Sequence, residues 1–210
     1  MKLLMFGASG HAKVVLDILS LCGWEVLGVI DDNPALRGSS FLGIPILGDS
    51  TRVAELRETV SHAIVSIGDN AVRVEKAAFL RSLGFELATA VHPRAVVSSG
   101  VVVGPGTVIM AGAVVNADTV IGSSVIVNTG ATVDHDCELG EGVHVAPGAH
   151  LAGGVRVGPL ARIGIGASVI ENRTIGARAG IGAGAAVVDD VPEGALVAGV
   201  PARVIEPSRK

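Results

Sequence analysis

The chain has 210 residues, a formal net charge of −4, 17% charged and 2% aromatic residues, 29 glycines and 2 cysteines. Without a basic cluster this charge gives no support for nucleic-acid binding. Two cysteines, Cys22 and Cys137, argue against a disulfide framework and fit a reducing cytoplasm.

At the N-terminus, Lys2 before Leu3-Leu4-Met5-Phe6 hints at a signal peptide, but the apolar run ends at Gly7, and His11 and Lys13 follow. It reads better as a buried strand, Leu3 to Phe6, turning at Gly7-Ala8-Ser9-Gly10 into a helix on which Val14, Val15, Ile18 and Leu19 recur, stopped by Cys22-Gly23. A second strand is predicted from Glu25 to Ile30, leading into Asp31-Asp32-Asn33-Pro34. Val53, Leu56 and Val60 suggest a helix, Ala63 to Ile67 a strand ending at Gly68-Asp69-Asn70, and Val72 to Leu83 another helix. Strands alternating with helices predict a small Rossmann-like parallel α/β domain over residues 1–90.

Ligands of such sheets lie beyond the carboxyl ends of the strands, where three polar loops fall: Ser9-Gly10-His11, Asp31-Asp32 and Asp69-Asn70. The first lacks the full G-x-G-x-x-G, yet a glycine turn opening a helix presents free N–H groups and a positive dipole end to a phosphate. An acid at the end of the second strand suits a ribose or a base edge. An α/β turn that binds nothing accounts for the same residues.

From His92 to Val187 run sixteen hexads, each closing on an aliphatic residue, from Val97, Val103 and Ile109 to Ile181 and Val187. A strict period of six marks a parallel β-helix. Three hexads, eighteen residues, make one triangular coil with the closing aliphatics inward and Gly, Asn, Asp or Ser at the tight corners. The uncharged stretch Ala95 to Ala117 is long enough to span a bilayer, but Gly100, Gly104, Pro105, Gly106, Gly112 and Asn116 interrupt it at the hexad period, so no membrane insertion is expected. The coil is expected over 91–187 and a C-terminal tail over 188–210.

The most polar hexad is Asp134-His135-Asp136-Cys137-Glu138-Leu139. His135 falls at an outward corner with Asp136 beside it to orient the ring, although a surface histidine can equally be merely solvated. Cys137 takes a small inward position and reads as packing, not as a nucleophile. His144 follows at half a coil, so His135 and His144 belong to different sides of one subunit and meet only across a subunit interface. With His150 they raise the thought of a metal, but no two have metal-ligand spacing, and no G-x-S-x-G elbow supports serine hydrolysis.

Phe6-Gly7-Ala8-Ser9-Gly10-His11, Asp31-Asp32, the hexads, Asn128-Thr129 with Asp134-His135-Asp136-Cys137, and Val197-Ala198-Gly199-Val200-Pro201-Ala202-Arg203 together resemble the PglD/NeuD nucleotide-sugar acetyltransferases of bacterial glycan assembly. The resemblance covers nearly the whole chain and implies a left-handed β-helix (hexapeptide repeat) behind the α/β domain. It also implies a cytoplasmic homotrimer using acetyl-CoA, without a metal, and an amino group on a UDP-linked 4-amino-4,6-dideoxy sugar as acceptor. His135 is then the general base and Asp136 its orienting carboxylate. His144, Gly153, Ile165, Ala183, Gly199, Pro201 and Arg203 contact acetyl-CoA; Ser9, Gly10, His11, Asp31, Asp32 and Asn128 surround the nucleotide sugar. Ala183 departs from the glycine common in relatives. Two alternatives remain at this level: O-acetylation of a sugar such as sialic acid, and a non-catalytic trimer that binds a nucleotide sugar.

Overall fold

A computed structural model describes residues 1–205; the last five residues of the expected tail lie outside them. The chain divides into two compact units, Met1–Pro93 and Arg94–Lys210.

In the first unit, β1 (Lys2–Phe6), α1 (Gly10–Leu21), β2 (Glu25–Ile30), β3 (Ser40–Phe41), β4 (Ile44–Gly48), α2 (Val53–Leu56), β5 (His62–Val65), α3 (Asn70–Ser82) and β6 (Glu86–Leu87) form one sheet in the order β3-β4-β2-β1-β5-β6 with its helices. All neighbours are parallel except the β3/β4 hairpin. Leu3, Leu4, Met5 and Phe6 are buried without alternation, as a central parallel strand covered on both faces must be. Helix α1 turns Ala12, Val15, Ile18 and Leu19 inward and leaves Val14 42% exposed, so Val14 belongs to the outer face. The helix expected around Val53, Leu56 and Val60 is a single turn after a 3-10 segment, Ser50–Arg52. Val53 and Val60 still reach the core, so burial required only that two valines face inward and not that the helix continue. The β3/β4 hairpin and β6 were not foreseen.

In the second unit every hexad closes on a two-residue strand, from Val96–Val97 to Ala186–Val187. Strands eighteen residues apart pair in parallel register, as Val114 with Thr132 and His150 with Ser168. They build three faces of a left-handed parallel β-helix. The first runs through Thr132–Val133, His150–Leu151 and Ser168–Val169; the second through Glu138–Leu139, Arg156–Val157 and Thr174–Ile175; the third through His144–Val145, Arg162–Ile163 and Gly180–Ile181 to Leu196–Ala198, where the antiparallel strand Arg203–Val204 ends it. Ala95 to Ala117 is part of this coil, and among the described residues no helix is long and apolar enough to cross a membrane.

The closing aliphatics stack in the interior, with Val115, Val127, Val133 and Val145 fully buried. Polar inward residues are satisfied from the next turn: the hydroxyl of Thr119 donates to the Asp134 carbonyl at 2.8 Å and accepts the Cys137 N–H. Left-handed corners hold Asp118, Asp136 and Asn172 as expected, but also Leu160 and Arg178. A side chain that points to solvent there carries only the backbone cost of about 1–2 kcal/mol. The corner after the second face is stricter. Gly104, Gly122, Gly140, Gly158 and Gly176 form a ladder in which a Cβ on any member would lie within about 3 Å of backbone on the next turn.

Candidate functional site

The Asp134-His135-Asp136 corner is braced from below and from the side. The Asn116 amide donates to Asp134 Oδ1 at 2.8 Å, and the same oxygen takes the His135 N–H at 2.9 Å. Both bonds favour the ionised carboxyl and hold Asp134 below its ordinary value. His135 is exposed, and its Nδ1 lies 2.7 Å from Asp136 Oδ2. That bond first, and the negative charge of Asp134 next, push the imidazole above its usual 6.5. With Nδ1 committed to Asp136, Nε2 is the nitrogen left to exchange a proton with a ligand.

Gly153 occupies the equivalent corner one turn on. A Cβ there would stand 2.6 Å from His135 Cε1 and 2.8 Å from Nε2, so the ring rests on bare backbone. Gly154 is pressed likewise by Asn172 Oδ1, at 2.5 Å from a built Cβ. His135, Asp136, Gly153, Arg156, Glu171 and Asn172 line an open cleft of about 620 Å³. It adjoins a shallow apolar trough of about 760 Å³ over the second face, whose glycine ladder forms the floor.

Because Asp136 favours the protonated ring, an NMR titration of His135 is expected to show its midpoint above 6.5. In Asp136→Asn the midpoint should fall. A midpoint unmoved by that change would remove Asp136 as the ring's partner.

Cys137 is fully buried, its thiol donates to the Ala152 carbonyl at 3.2 Å, and burial raises its pKa. It repeats one turn later the hydrogen bond that Thr119 makes to Asp134. A buried, protonated thiol so engaged is a packing group.

His144 lies on the third face and not beside His135. Asn128 goes with it: its Nδ2 is 3.0 Å from His144 Nε2, while its Oδ1 accepts the Thr129 N–H at 2.8 Å. With Oδ1 so used, the amide donates to Nε2 and the histidine proton falls on Nδ1. Asn128, expected near the nucleotide sugar, is bonded to His144, which leaves that expectation open to test. Ile165 (57% exposed) and Ala183 follow on successive turns of the same edge, and Gly199 comes one turn later. Ile165, Ala183 and Gly199 form one line of roughly 10 Å, two strand spacings, and His144 lies on the strand that precedes this corner one turn earlier. At its end the Val200–Pro201 peptide is cis, and Arg203 Nη1 pairs with Asp189 Oδ2 at 3.5 Å. Of the expected CoA contacts, Gly153 alone is at the His135 corner; His144, Ile165, Ala183 and Gly199 follow the other edge.

In the first unit, Ser9 makes no side-chain cap at the start of α1, leaving its first N–H groups open, whereas Asp69 caps α3 through the Val72 N–H. The Asp69-Asn70 loop is therefore spent on structure, with Asn70 Oδ1 accepting from Arg73 at 2.9 Å. Asp31 ties the glycine turn to β2: Oδ2 accepts the Ala8 N–H at 2.8 Å and Oδ1 the Asn33 N–H at 2.9 Å. Asp32 Oδ1 accepts both the N–H and the hydroxyl of Ser50, and Oδ2 meets Lys76 Nζ at 2.8 Å. Partial burial works to raise the Asp32 carboxyl, but these bonds outweigh it and leave it lowered. The aspartate pair thus fastens four segments together as well as facing the ligand end of the sheet.

His11 behaves differently from an exposed histidine. Burial, then the field of Arg73, lowers it to about 4, and its Nε2 is buried without a hydrogen-bond partner among the described residues. That shift favours the neutral ring at pH 7. Arg73, 1% exposed, donates to the Ile67 and Gly68 carbonyls and supplies the positive charge beneath this loop. Sequence reasoning missed Arg73, Lys76 and Asn116, and it marked Asp134 inside the polar hexad without giving it a role. Among the described residues no three His, Cys, Asp or Glu side chains are grouped to hold a metal.

Residues 2–79 match the PglD N-terminal domain model, and residues 118–153 the bacterial transferase hexapeptide (six repeats). The structure resembles that of PerB from Caulobacter crescentus in complex with CoA and GDP-perosamine, at 45% identity and a TM-score of 0.94 over 98% of both chains. It also resembles the acetyltransferase domain of PglB from Neisseria gonorrhoeae in complex with acetyl coenzyme A, at 40% identity and a TM-score of 0.90, over 97% of this chain and 98% of that one. A UDP-N-acetylbacillosamine N-acetyltransferase of Bacillus subtilis is 38% identical over 110 residues, 50% of this chain and 49% of the relative, so the match spans about half its length.

Proposed function

The chain belongs to the PglD-type family of hexapeptide-repeat sugar N-acetyltransferases, and on that premise we propose that it moves the acetyl group of acetyl-CoA to the amino group of a nucleotide-linked 4-amino-4,6-dideoxy sugar. The observation that carries the reading is the His135 corner, an exposed imidazole held by Asp136 over the bare backbone of Gly153 in an open cleft. The uridine form expected from the sequence has its counterpart in the Bacillus relative and the guanosine form in the Caulobacter one.

The amine attacks as a free base, forming the C–N bond as the C–S bond breaks. His135 Nε2 takes the proton the nitrogen sheds and passes it to the leaving thiolate. Asp136 stabilises the ring while it carries that proton. Since His135 must begin neutral and its pKa is raised, turnover rises with pH through that pKa. Bringing amine and thioester together supplies much of the remaining acceleration. In this reading residues 1–90 hold the nucleotide through Ser9, Gly10, His11, Asp31 and Asp32. Residues 91–187 form the acetyl-transfer coil, and the tail from residue 188 meets the adenine end of CoA through Gly199, Pro201 and Arg203.

His135 and Gly153 stand on one edge of the coil and the line from His144 to Gly199 on another, which favours a site completed between subunits of a cytoplasmic homotrimer. Thiol release with acetyl-CoA is expected with nucleotide-linked amino sugars and not with hydroxyl analogues, from a particle of three times 21.1 kDa by light scattering. Release with hydroxyl acceptors alone would favour O-acetylation. No release with either, or full activity in a 21.1 kDa particle, would reject the catalytic or the shared-site reading respectively.

A further inference from the structure

Within the first unit, the turn after β4 encloses a recess of about 460 Å³ lined by Arg37, Ile46, Leu47, Asp49, Thr51 and Arg52. It is continuous with the aspartate corner: the Asp31 N–H donates to the Gly48 carbonyl at 3.0 Å, and Ser50 is bonded to Asp32. One wall is apolar, with Ile46 buried and Leu47 half-buried. The other presents two guanidinium groups, 66% and 57% exposed and therefore open to a ligand. Arg37 Nη2 donates to Asp49 Oδ2 at 2.5 Å, while Asp49 Oδ1 is fixed by the N–H and hydroxyl of Thr51. That carboxylate aims Arg37 and leaves it further N–H donors. Arg52 pairs with Glu55 and lays its stem across Gly48, where a built Cβ would stand 2.8 Å from Arg52 Cγ.

We propose that this recess receives the base of the nucleotide sugar and selects guanine over uracil and thymine, with Arg37 and Arg52 as the specificity-determining residues. The inference rests on the nucleotide-sugar reading above. Of guanine, uracil and thymine, guanine alone offers two adjacent acceptors, N7 and O6, which a guanidinium fork can meet with two N–H groups. Adenine puts a donor where O6 stands. Uracil and thymine offer O4 beside a carbon, so one arm of the fork has no acceptor. The recess lies one strand beyond the Asp31-Asp32 corner, on the side away from the glycine turn, which is where a base falls when the phosphates lie at the start of α1 and the ribose at the end of β2.

Calorimetric titration of the intact protein with GDP, UDP, dTDP and CoA tests this. GDP should bind at least about tenfold tighter than UDP or dTDP. Arg37→Met and Arg52→Met, which keep the aliphatic stems, should each weaken GDP by about tenfold while leaving UDP and CoA binding and the thermal midpoint unchanged. UDP or dTDP binding as tightly as GDP overturns the assignment, as does a double variant that keeps the wild-type preference for GDP. If none of the three nucleotides binds while CoA does, the nucleotide-sugar reading itself fails and takes the base assignment with it.

Discussion

His135→Ala should lower kcat by about 10²–10⁴-fold, the range over which a positioned general base acts, while acetyl-CoA binding measured by calorimetry stays within about twofold. The separation follows from geometry. The ring touches bare backbone at Gly153 and pairs with Asp136, so removing it opens space without disturbing the edge that carries His144, Ile165 and Ala183. A variant turning over at the wild-type rate would take the proton-transfer role away from His135. A loss of CoA affinity as large as the loss in kcat would make the residue a binding group instead.

Gly158→Ala should lower folding stability by about 3 kcal/mol, or roughly 6–12 °C in thermal midpoint for a chain of this size. The added methyl would meet Ala177 N at 2.5 Å and Ala177 Cα at 2.9 Å, both backbone atoms of the next turn that cannot yield by changing rotamer. Gly148→Ala is the matched control. Its φ of +63 is the strained left-handed kind, but nothing stands within 4 Å of a built Cβ, so only the backbone cost of about 1–2 kcal/mol applies. Equal melting of the two variants would show that the glycine ladder answers to backbone conformation and not to the closeness of successive turns.

The coil was legible because its physics is local and repetitive: one inward aliphatic per hexad with turn-forming corners suffices, and every strand from Val96–Val97 to Ala186–Val187 falls where the hexads put it, whereas Leu196–Ala198 and Arg203–Val204 lie in the stretch expected as a tail. Strands β1 and β2 and helices α1 and α3 were equally clear from periodicity. The β3/β4 hairpin was not, since Ser40–Phe41 is too short for any period and its turn carries Leu42 at φ +50. At the site, Asp134-His135-Asp136 drew attention as a charged break in a bland repeat. Asp136 is adjacent to His135, but the partners of Asp134 and His144 are about one coil away. Asn116 reaches Asp134 across eighteen residues and Asn128 reaches His144 across sixteen, and spacing alone does not tell which outward side chains bend toward each other. His11 shows the same limit: its place in the glycine turn is plain from the sequence, and only the structure shows its ring buried beside Arg73.

The eighteen-residue register makes the third face a ruler with fixed graduations. Ile165, Ala183 and Gly199 stand on consecutive marks about 4.8 Å apart, so in the acetyl-CoA reading the length of carrier arm that fits along them is set in whole turns. Lengthening the coil between Ile165 and Ala183 by six or twelve residues would keep the closing aliphatics inward but carry Ala183 and Gly199 onto another face, and lengthening it by eighteen would keep both packing and face while moving the two ends one full mark apart.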